Sequence, residues 1–89
     1  MEPREAGSAL DALGDANRRA IVEILGNGAL SVRQIAEQLP ISRPAVSRHL
    51  RLLKEAGLVS DDPDGTRRVY QLRDAGVEAV RAYFAEVWG

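Results

Sequence analysis

The sequence predicts one mainly α-helical domain of five helices with a small β-hairpin. Amphipathic spacings, N-capping residues and glycine or proline stops divide most of the chain into helix-length segments. Between the fourth and fifth of these segments, two short strand-like runs flank a turn signal. The chain has 89 residues, of which 45% are hydrophobic and 28% charged, so we expect a single globular domain over residues 1–89.

The first two predicted helices are short and lie close together. A Ser-x-x-acid pattern at Ser8 and Asp11 predicts the start of the first helix, and Gly14 is a suitable stop. Asp15 can cap a second helix, whose apolar stripe runs to Leu25 before a Gly-Asn-Gly break.

The third and fourth predicted helices are separated by a tight turn. Ser31 and Gln34 have the spacing of a capping box, and Pro40 closes the third helix. Ser42 then caps a fourth helix over residues 42–56, in which a proline in the first turn is tolerated. We expect the buried face of this helix to consist of Val46, Leu50 and Leu53.

The residues after the fourth helix predict a hairpin and a last helix. Residues 58–60 and 67–72 are strand-like, and the Asp-Pro-Asp-Gly sequence at 62–65 predicts the turn between them. Asp74 is the predicted cap of the fifth helix. Two helices joined by a tight turn and followed by a hairpin, or two-stranded wing, form the winged helix-turn-helix arrangement.

The net charge of −1 conceals a local basic segment. Residues 42–54 contain four basic residues and no acidic one, whereas the rest of the chain contains eight basic and thirteen acidic residues. A compact cationic helix of this kind favours a polyanionic partner, and in this arrangement the expected partner is double-stranded DNA.

Other classes of function lack the residues that they need. The chain has no cysteine and one histidine, so neither a thiolate metal site nor a histidine cluster is expected, and no cofactor is predicted. It contains no Gly-rich phosphate loop and no residues spaced as a nucleophile–base pair, which argues against an enzyme. With no membrane-length apolar run and no secretory signal at the N-terminus, the expected location is the cytoplasm.

The candidate DNA-binding residues lie on the fourth helix and the wing, which we place at residues 61–68. Arginine matches the paired acceptors of guanine, and apolar or hydroxyl side chains can contact other base edges. The residues expected to read bases are Arg43, Pro44, Ser47 and Arg48. Those expected to contact phosphates and position the domain are Ser42, Arg51, Lys54, Thr66, Arg67 and Arg68.

Two alternatives remain open for these basic residues. They could form an ordinary solvated helix face, or the domain could be a protein-interaction module that no longer binds DNA. The second basic cluster on the wing favours DNA. His49 lies on the flank of the fourth helix, where either a structural role or a phosphate contact is possible and a catalytic role is not expected.

The last helix has a pronounced apolar stripe, which predicts a dimer interface. Such a stripe could simply cover the monomer's own core, but part of it exceeds what a small domain needs. The predicted interface combines this helix with the first one in an isologous homodimer. Its residues are Leu10, Leu13, Val80, Tyr83, Phe84, Val87 and Trp88.

Three segments of the sequence resemble the ArsR family of bacterial winged helix-turn-helix repressors. They are LDALGDANRRAIVEIL, LSVRQIAEQLPISRPAVSRHLRLLKEAGLV and GTRRVYQL, which together cover residues 10–72 in unbroken order. The resemblance implies a homodimer that binds inverted-repeat operators near its own promoter and represses transcription by blocking polymerase. Some sensing members release DNA when an inducer binds, and the sequence does not identify an inducer here.

The resemblance does not extend to metal sensing. Metal-sensing members have a Cys-Val-Cys sequence at the start of the third helix, where this chain has Ser31, Val32 and Arg33. The other common site in the family uses histidine and carboxylate ligands on the last helix, which has no histidine here. Serine and arginine do not replace thiolate ligands, so the chain is similar to the short, metal-independent members, some of which repress themselves.

Overall fold

Capping and turn residues divide the chain into five helices and three short strands. The computed structural model describes the backbone of residues 3–88 and the side chains of residues 8–88. Met1, Glu2 and Gly89 lie outside the described residues, as does part of the N-terminal segment in which no secretory signal is predicted. The elements are α1 (Pro3–Ala12), α2 (Ala16–Leu25), β1 (Leu30–Ser31), α3 (Val32–Ala36), α4 (Arg43–Glu55), β2 (Val59–Asp64), β3 (Arg67–Leu72) and α5 (Asp74–Trp88).

Three of the predicted N-caps are confirmed by their hydrogen bonds. The Ser31 hydroxyl accepts from the Gln34 backbone N–H at 3.2 Å, and the Gln34 side chain accepts from the Ser31 backbone N–H at 2.9 Å, which completes the capping box. Asp15 and Ser42 each accept from the backbone N–H three residues further on. For Asp15, this backbone donor lowers the pKa of the carboxyl group.

Two predicted helix starts are wrong, by different amounts. The first helix begins at Pro3, so Ser8 lies inside α1 and does not cap it. Proline suits a first helical position because its missing N–H would have no partner there. In α5, Asp74 occupies the first helical position, where a negative charge favours the helix N-terminus without capping it.

The hairpin is longer than predicted and has a different turn. β2 continues to Asp64, and a two-residue loop at Gly65 and Thr66 replaces the predicted turn at 62–65. Gly65 has a φ of +65°, as the first loop residue of a type II′ hairpin requires. Pro63 lies within β2 opposite Arg68, and an edge strand tolerates proline because its outer N–H needs no partner strand.

The sheet has a third strand that the sequence analysis did not identify. β1 contains two residues and pairs antiparallel with β3, so the strand order is β1-β3-β2. β3 is therefore the central strand, and β2 with β3 forms the wing. Two residues are too few to show an alternating pattern, and the pairing joins Leu30 to Tyr70 across forty positions of sequence.

The hydrophobic core lies between α4 and the surrounding elements. The predicted buried stripe of α4 is confirmed, because Val46, Leu50 and Leu53 are fully buried. They pack with buried residues of α1, α2, α3 and the start of β2. Burying this stripe orients the opposite face of α4 toward solvent, and it holds α3 against α4.

The start of α5 packs closely against the connection between α4 and β2. A Cβ added at Gly76 would lie 2.1 Å from the carbonyl oxygen of Gly57 and 3.1 Å from the Cα of Leu58. Both contacts involve backbone, which cannot move away as a flexible side chain could. Only glycine therefore allows α5 to approach this closely.

We expect Gly76→Ala to lower the free energy of unfolding by on the order of 3 kcal/mol, because overpacking forces the backbone apart. Urea denaturation followed by circular dichroism measures the change. Gly26→Ala is a control at a residue with an ordinary helical φ of −60°. There the added Cβ would lie no closer than 3.1 Å to any backbone atom, compared with 2.1 Å at Gly76, and we expect a change of no more than about 1 kcal/mol. Equal effects of the two substitutions would contradict the close packing of α5.

Candidate DNA-binding surface

The exposed face of α4 carries all four residues predicted to read bases. Ser42 caps the helix, and the first turn contains a proline whose missing N–H costs nothing there. The buried stripe fixes the rotation of the helix about its axis, so the residues between the buried positions face solvent. The exposed residues of this face are Arg43, Pro44, Ser47, Arg48 and Arg51.

The three arginines of this face have their charged groups free for a partner. Among the residues that the structure describes, Arg43, Arg48 and Arg51 form no ion pair with a carboxylate. Their guanidinium donors are therefore not held by a carboxylate among these residues. A planar guanidinium with free donors can bind a guanine edge or a phosphate in a bidentate manner.

The cations predicted to contact phosphates at the end of α4 and on the wing differ from the arginines of the α4 face, because each of them forms an ion pair with a carboxylate. Asp61 forms ion pairs with Lys54 of α4, at 2.6 Å, and with Arg68 of β3, at 3.0 Å. Arg67 pairs with Asp64 at 3.2 Å across the hairpin turn. Lys54, Arg67 and Arg68 are thus already paired with carboxylates before any DNA binds, unlike the three arginines of the α4 face.

Asp61, which lies where α4 meets the wing, was not among the predicted site residues. Its side chain is only 8% exposed, and the hydrogen bond from Lys54 lowers the pKa of its carboxyl group. The predicted turn removed Asp61 from the strand, which hid its relation to Arg68. In the actual register Asp61 pairs with Tyr70, so Arg68 occupies the diagonal position on the same face of the hairpin.

A groove joins α3, the start of α4 and the wing. It has a volume of about 560 Å³, and its lining includes Glu37 and four arginines, Arg33, Arg43, Arg67 and Arg68. Arg33 was not among the predicted site residues. Its side chain is largely exposed, and its Nε lies 3.9 Å from Oε1 of Glu37. The groove makes the basic surface continuous between the helix-turn-helix and the wing.

His49 has a structural position, which decides between the two alternatives left open by the sequence. It is 6% exposed, and its Nδ1 lies 3.4 Å from Nη1 of Arg18. The Nε of Arg18 donates to the carbonyl oxygen of Ala12 at 2.6 Å. His49 therefore joins α4 to the α1–α2 corner and lies away from the solvent-exposed face that would meet DNA.

A second exposed surface lies on the last two turns of α5. Phe84 and Trp88 are 42% and 73% exposed, and their rings stack with centroids 5.1 Å apart. Val87 is exposed, and the half-buried Tyr83 contacts Phe84 edge-on at 5.7 Å. We call Tyr83, Phe84, Val87 and Trp88 the α5 apolar patch.

The other predicted interface residues are less exposed than this patch. Leu10, Leu13 and Val80 are half-buried, and Leu13 and Val80 pack against the core of the monomer. α1 nevertheless packs beside α5, so both helices that were predicted to form the interface lie on one side of the molecule.

The fold and this surface together define a winged helix-turn-helix DNA-binding domain. The family described as bacterial regulatory protein, arsR family, matches residues 15–61, which span α2, the helix-turn-helix and the start of the wing. The chain belongs to the ArsR family of transcriptional regulators, and the predicted fold class and resemblance are confirmed. It is accordingly a DNA-binding regulator and not an enzyme.

Three known proteins show the extent of the similarity. The HTH-type transcriptional regulator Rv2034 of Mycobacterium tuberculosis is 53% identical over 85 residues, which cover 96% of this chain and 79% of the relative. The transcriptional repressor SdpR of Bacillus subtilis is 39% identical over 61 residues, 68% of each chain. The solution structure of the homodimeric winged helix-turn-helix DNA-binding domain Mb0332 of Mycobacterium bovis has a TM-score of 0.76 at 30% identity, covering 94% of this chain and 75% of that one.

Neither a metal cluster nor a membrane-spanning helix is found in the described part of the chain. Residues 8–88 contain no group of three or more histidine, cysteine or carboxylate side chains that could hold a metal ion. No helix between residues 3 and 88 combines the length and the apolar character that crossing a bilayer requires.

Proposed function

We propose that the chain is a homodimeric transcriptional repressor that binds an inverted-repeat operator, and that one such operator lies in its own promoter region. The observation that carries this proposal is the exposed face of α4, where Arg43, Arg48 and Arg51 point away from the core and have no carboxylate partner among the residues that the structure describes. Planar guanidinium groups on a rigid, capped helix match the paired acceptors of guanine in the major groove, which supports base recognition.

The residues divide into two groups by their expected contacts. Those near the start of α4 are expected to read base edges, because the N-terminal part of a recognition helix enters the major groove in this motif. They are Arg43, Pro44, Ser47 and Arg48. The remaining cations and hydroxyls lie further along α4 or on the wing and are expected to contact phosphates; they are Ser42, Arg51, Lys54, Thr66, Arg67 and Arg68.

The proposed homodimer is supported by the α5 apolar patch. Stacked aromatic side chains at the exposed end of a helix are costly to leave in water, and covering them with the same patch of a second chain is the simplest closed arrangement. Leu10, Leu13 and Val80 would extend this interface at its margin. A two-fold pairing would place two copies of α4 about 34 Å apart, one helical turn of DNA.

Repression is supported by the family resemblance and by the description of SdpR as a repressor. A dimer seated on an operator within a promoter excludes polymerase from the same DNA. The cysteine ligands of the metal-sensing members are absent from this sequence, and the proposal names no inducer.

In vitro transcription from the chain's own promoter tests this function. We expect the purified protein to reduce the amount of run-off transcript from that template and to leave an unrelated promoter unaffected. A protein that occupies the promoter region without reducing transcription would contradict repression, whereas a protein that fails to bind it would contradict autoregulation.

A further inference from the structure

The carboxylate of Asp61 connects α4 to both strands of the wing. Its Oδ1 accepts from Nζ of Lys54 in the last turn of α4, and its Oδ2 accepts from Nη1 of Arg68 in β3. Asp61 itself belongs to β2. One side chain therefore joins three elements that must keep a fixed relation if helix and wing are to contact the same DNA.

The Asp61 carboxylate is buried, whereas the side chains of its two cationic partners are exposed. The Asp61 side chain is 8% exposed, whereas those of Lys54 and Arg68 are 56% and 59% exposed. An ammonium group has three donors and a guanidinium group five, so each cation keeps donors for a phosphate while Asp61 holds it. The carboxylate is thus placed to orient the two cations without contacting DNA itself.

The same carboxylate also reduces the charge at this junction. Lys54 and Arg68 together carry two positive charges, and Asp61 leaves a net charge of one. Binding to DNA of any sequence depends on how many phosphate charges the protein neutralises. A reduced local charge therefore limits binding to random DNA, while a fixed geometry favours the site whose phosphates match it.

We propose that Asp61 is a positioning residue that sets the specificity of DNA binding, by fixing Lys54 and Arg68 at the junction of helix and wing and by limiting their charge. Its removal would strengthen binding to random DNA and weaken the preference for the operator. This inference rests on the proposed operator-binding function.

Asp64 supplies a matched control on the same hairpin. It pairs with Arg67 at 3.2 Å, but both side chains are more than half exposed and lie three residues apart across the turn. An exposed pair of this kind fixes little geometry. Asp64→Asn and Asp61→Asn each remove one negative charge from the wing, so a difference between them isolates the positioning effect from the charge effect.

The probes are a duplex selected from a random pool by the wild-type protein and a scrambled duplex of the same length and composition. For Asp61→Asn we expect tighter binding to the scrambled duplex and a salt dependence steeper by about one unit. We also expect the ratio of selected to scrambled affinity to fall by about tenfold, the effect of losing one charge-assisted contact. For Asp64→Asn we expect the ratio to remain within about twofold of the wild type.

If Asp61→Asn does not fold, Asp61→Glu provides a second variant for the same measurement. It retains the negative charge but moves the carboxylate by one methylene group, so binding to scrambled DNA should stay unchanged while the ratio falls. A wild-type ratio in the folded Asp61 variant, or an equal fall for Asp64→Asn, would overturn the role of Asp61. A wild-type protein that selects no sequence at all would instead overturn the proposed operator binding.

Discussion

The Phe84→Asp variant is expected to be a folded monomer that binds operator DNA at least a hundredfold more weakly than the wild type, roughly the avidity that a second linked site provides. Phe84 lies at the centre of the α5 apolar patch, between the rings of Tyr83 and Trp88. A two-fold interface through this patch would bury the new carboxylate twice, and an unpaired buried charge costs several kcal/mol.

The exposure of Phe84 separates this effect from unfolding. Its side chain is 42% exposed in the single chain and it is not part of the buried core, so the substitution should leave the monomer fold intact. Sedimentation equilibrium gives the oligomeric state, circular dichroism confirms the fold, and fluorescence anisotropy gives the DNA affinity. Phe84→Leu is the matched control, because an apolar side chain at this position should preserve the dimer. An unaltered dimer for Phe84→Asp would contradict this interface.

The Arg48→Ala variant is expected to lose specificity while its binding to random DNA changes little. Arg48 is exposed in the first half of α4, two turns before the junction with the wing, and has no carboxylate partner among the described residues. If it pairs with a base edge, its removal costs on the order of 1–3 kcal/mol at the operator and relaxes the preference at one base position.

Arg51→Ala is the matched control for this experiment. Arg51 lies nearly one turn further along the same exposed face and is expected to contact a phosphate. Its removal should weaken binding to operator and random DNA by the same factor and reduce the salt dependence by about one unit. Competition binding with a set of single-base operator variants distinguishes the two patterns. An equal loss for operator and random DNA with Arg48→Ala would show that Arg48 contacts phosphate.

The parts of the fold that depend on local interactions could be predicted from the sequence. The caps at Asp15, Ser31 and Ser42 each act over three residues, and the buried stripe of α4 follows from helical periodicity alone. The exposed face of α4 is the geometric consequence of that stripe. These features position the candidate DNA-binding surface, so the class of function could be inferred from the sequence.

The features of the fold that depend on contacts between different elements could not be predicted from local sequence patterns. Pro63 and the acidic residues around it have the composition of a turn, but pairing with β3 keeps them in a strand. The ion pair of Asp61 with Arg68 follows from that register, and the one with Lys54 follows from the packing of α4 beside β2, so neither results from a capping or helical spacing. The tight contact of Gly76 with Gly57 likewise arises only when α5 packs onto the end of α4.

Binding of the purified chain to DNA from its own promoter region, compared with scrambled DNA of equal length across a series of salt concentrations, tests the central claim most directly. Fluorescence anisotropy gives both affinities, and a stoichiometric titration gives the number of chains bound. We expect a preference of about a thousandfold or more for the promoter DNA, with two chains in each complex. Equal affinity for both DNAs, or no binding to either at low salt, would contradict a dimeric repressor that controls its own promoter.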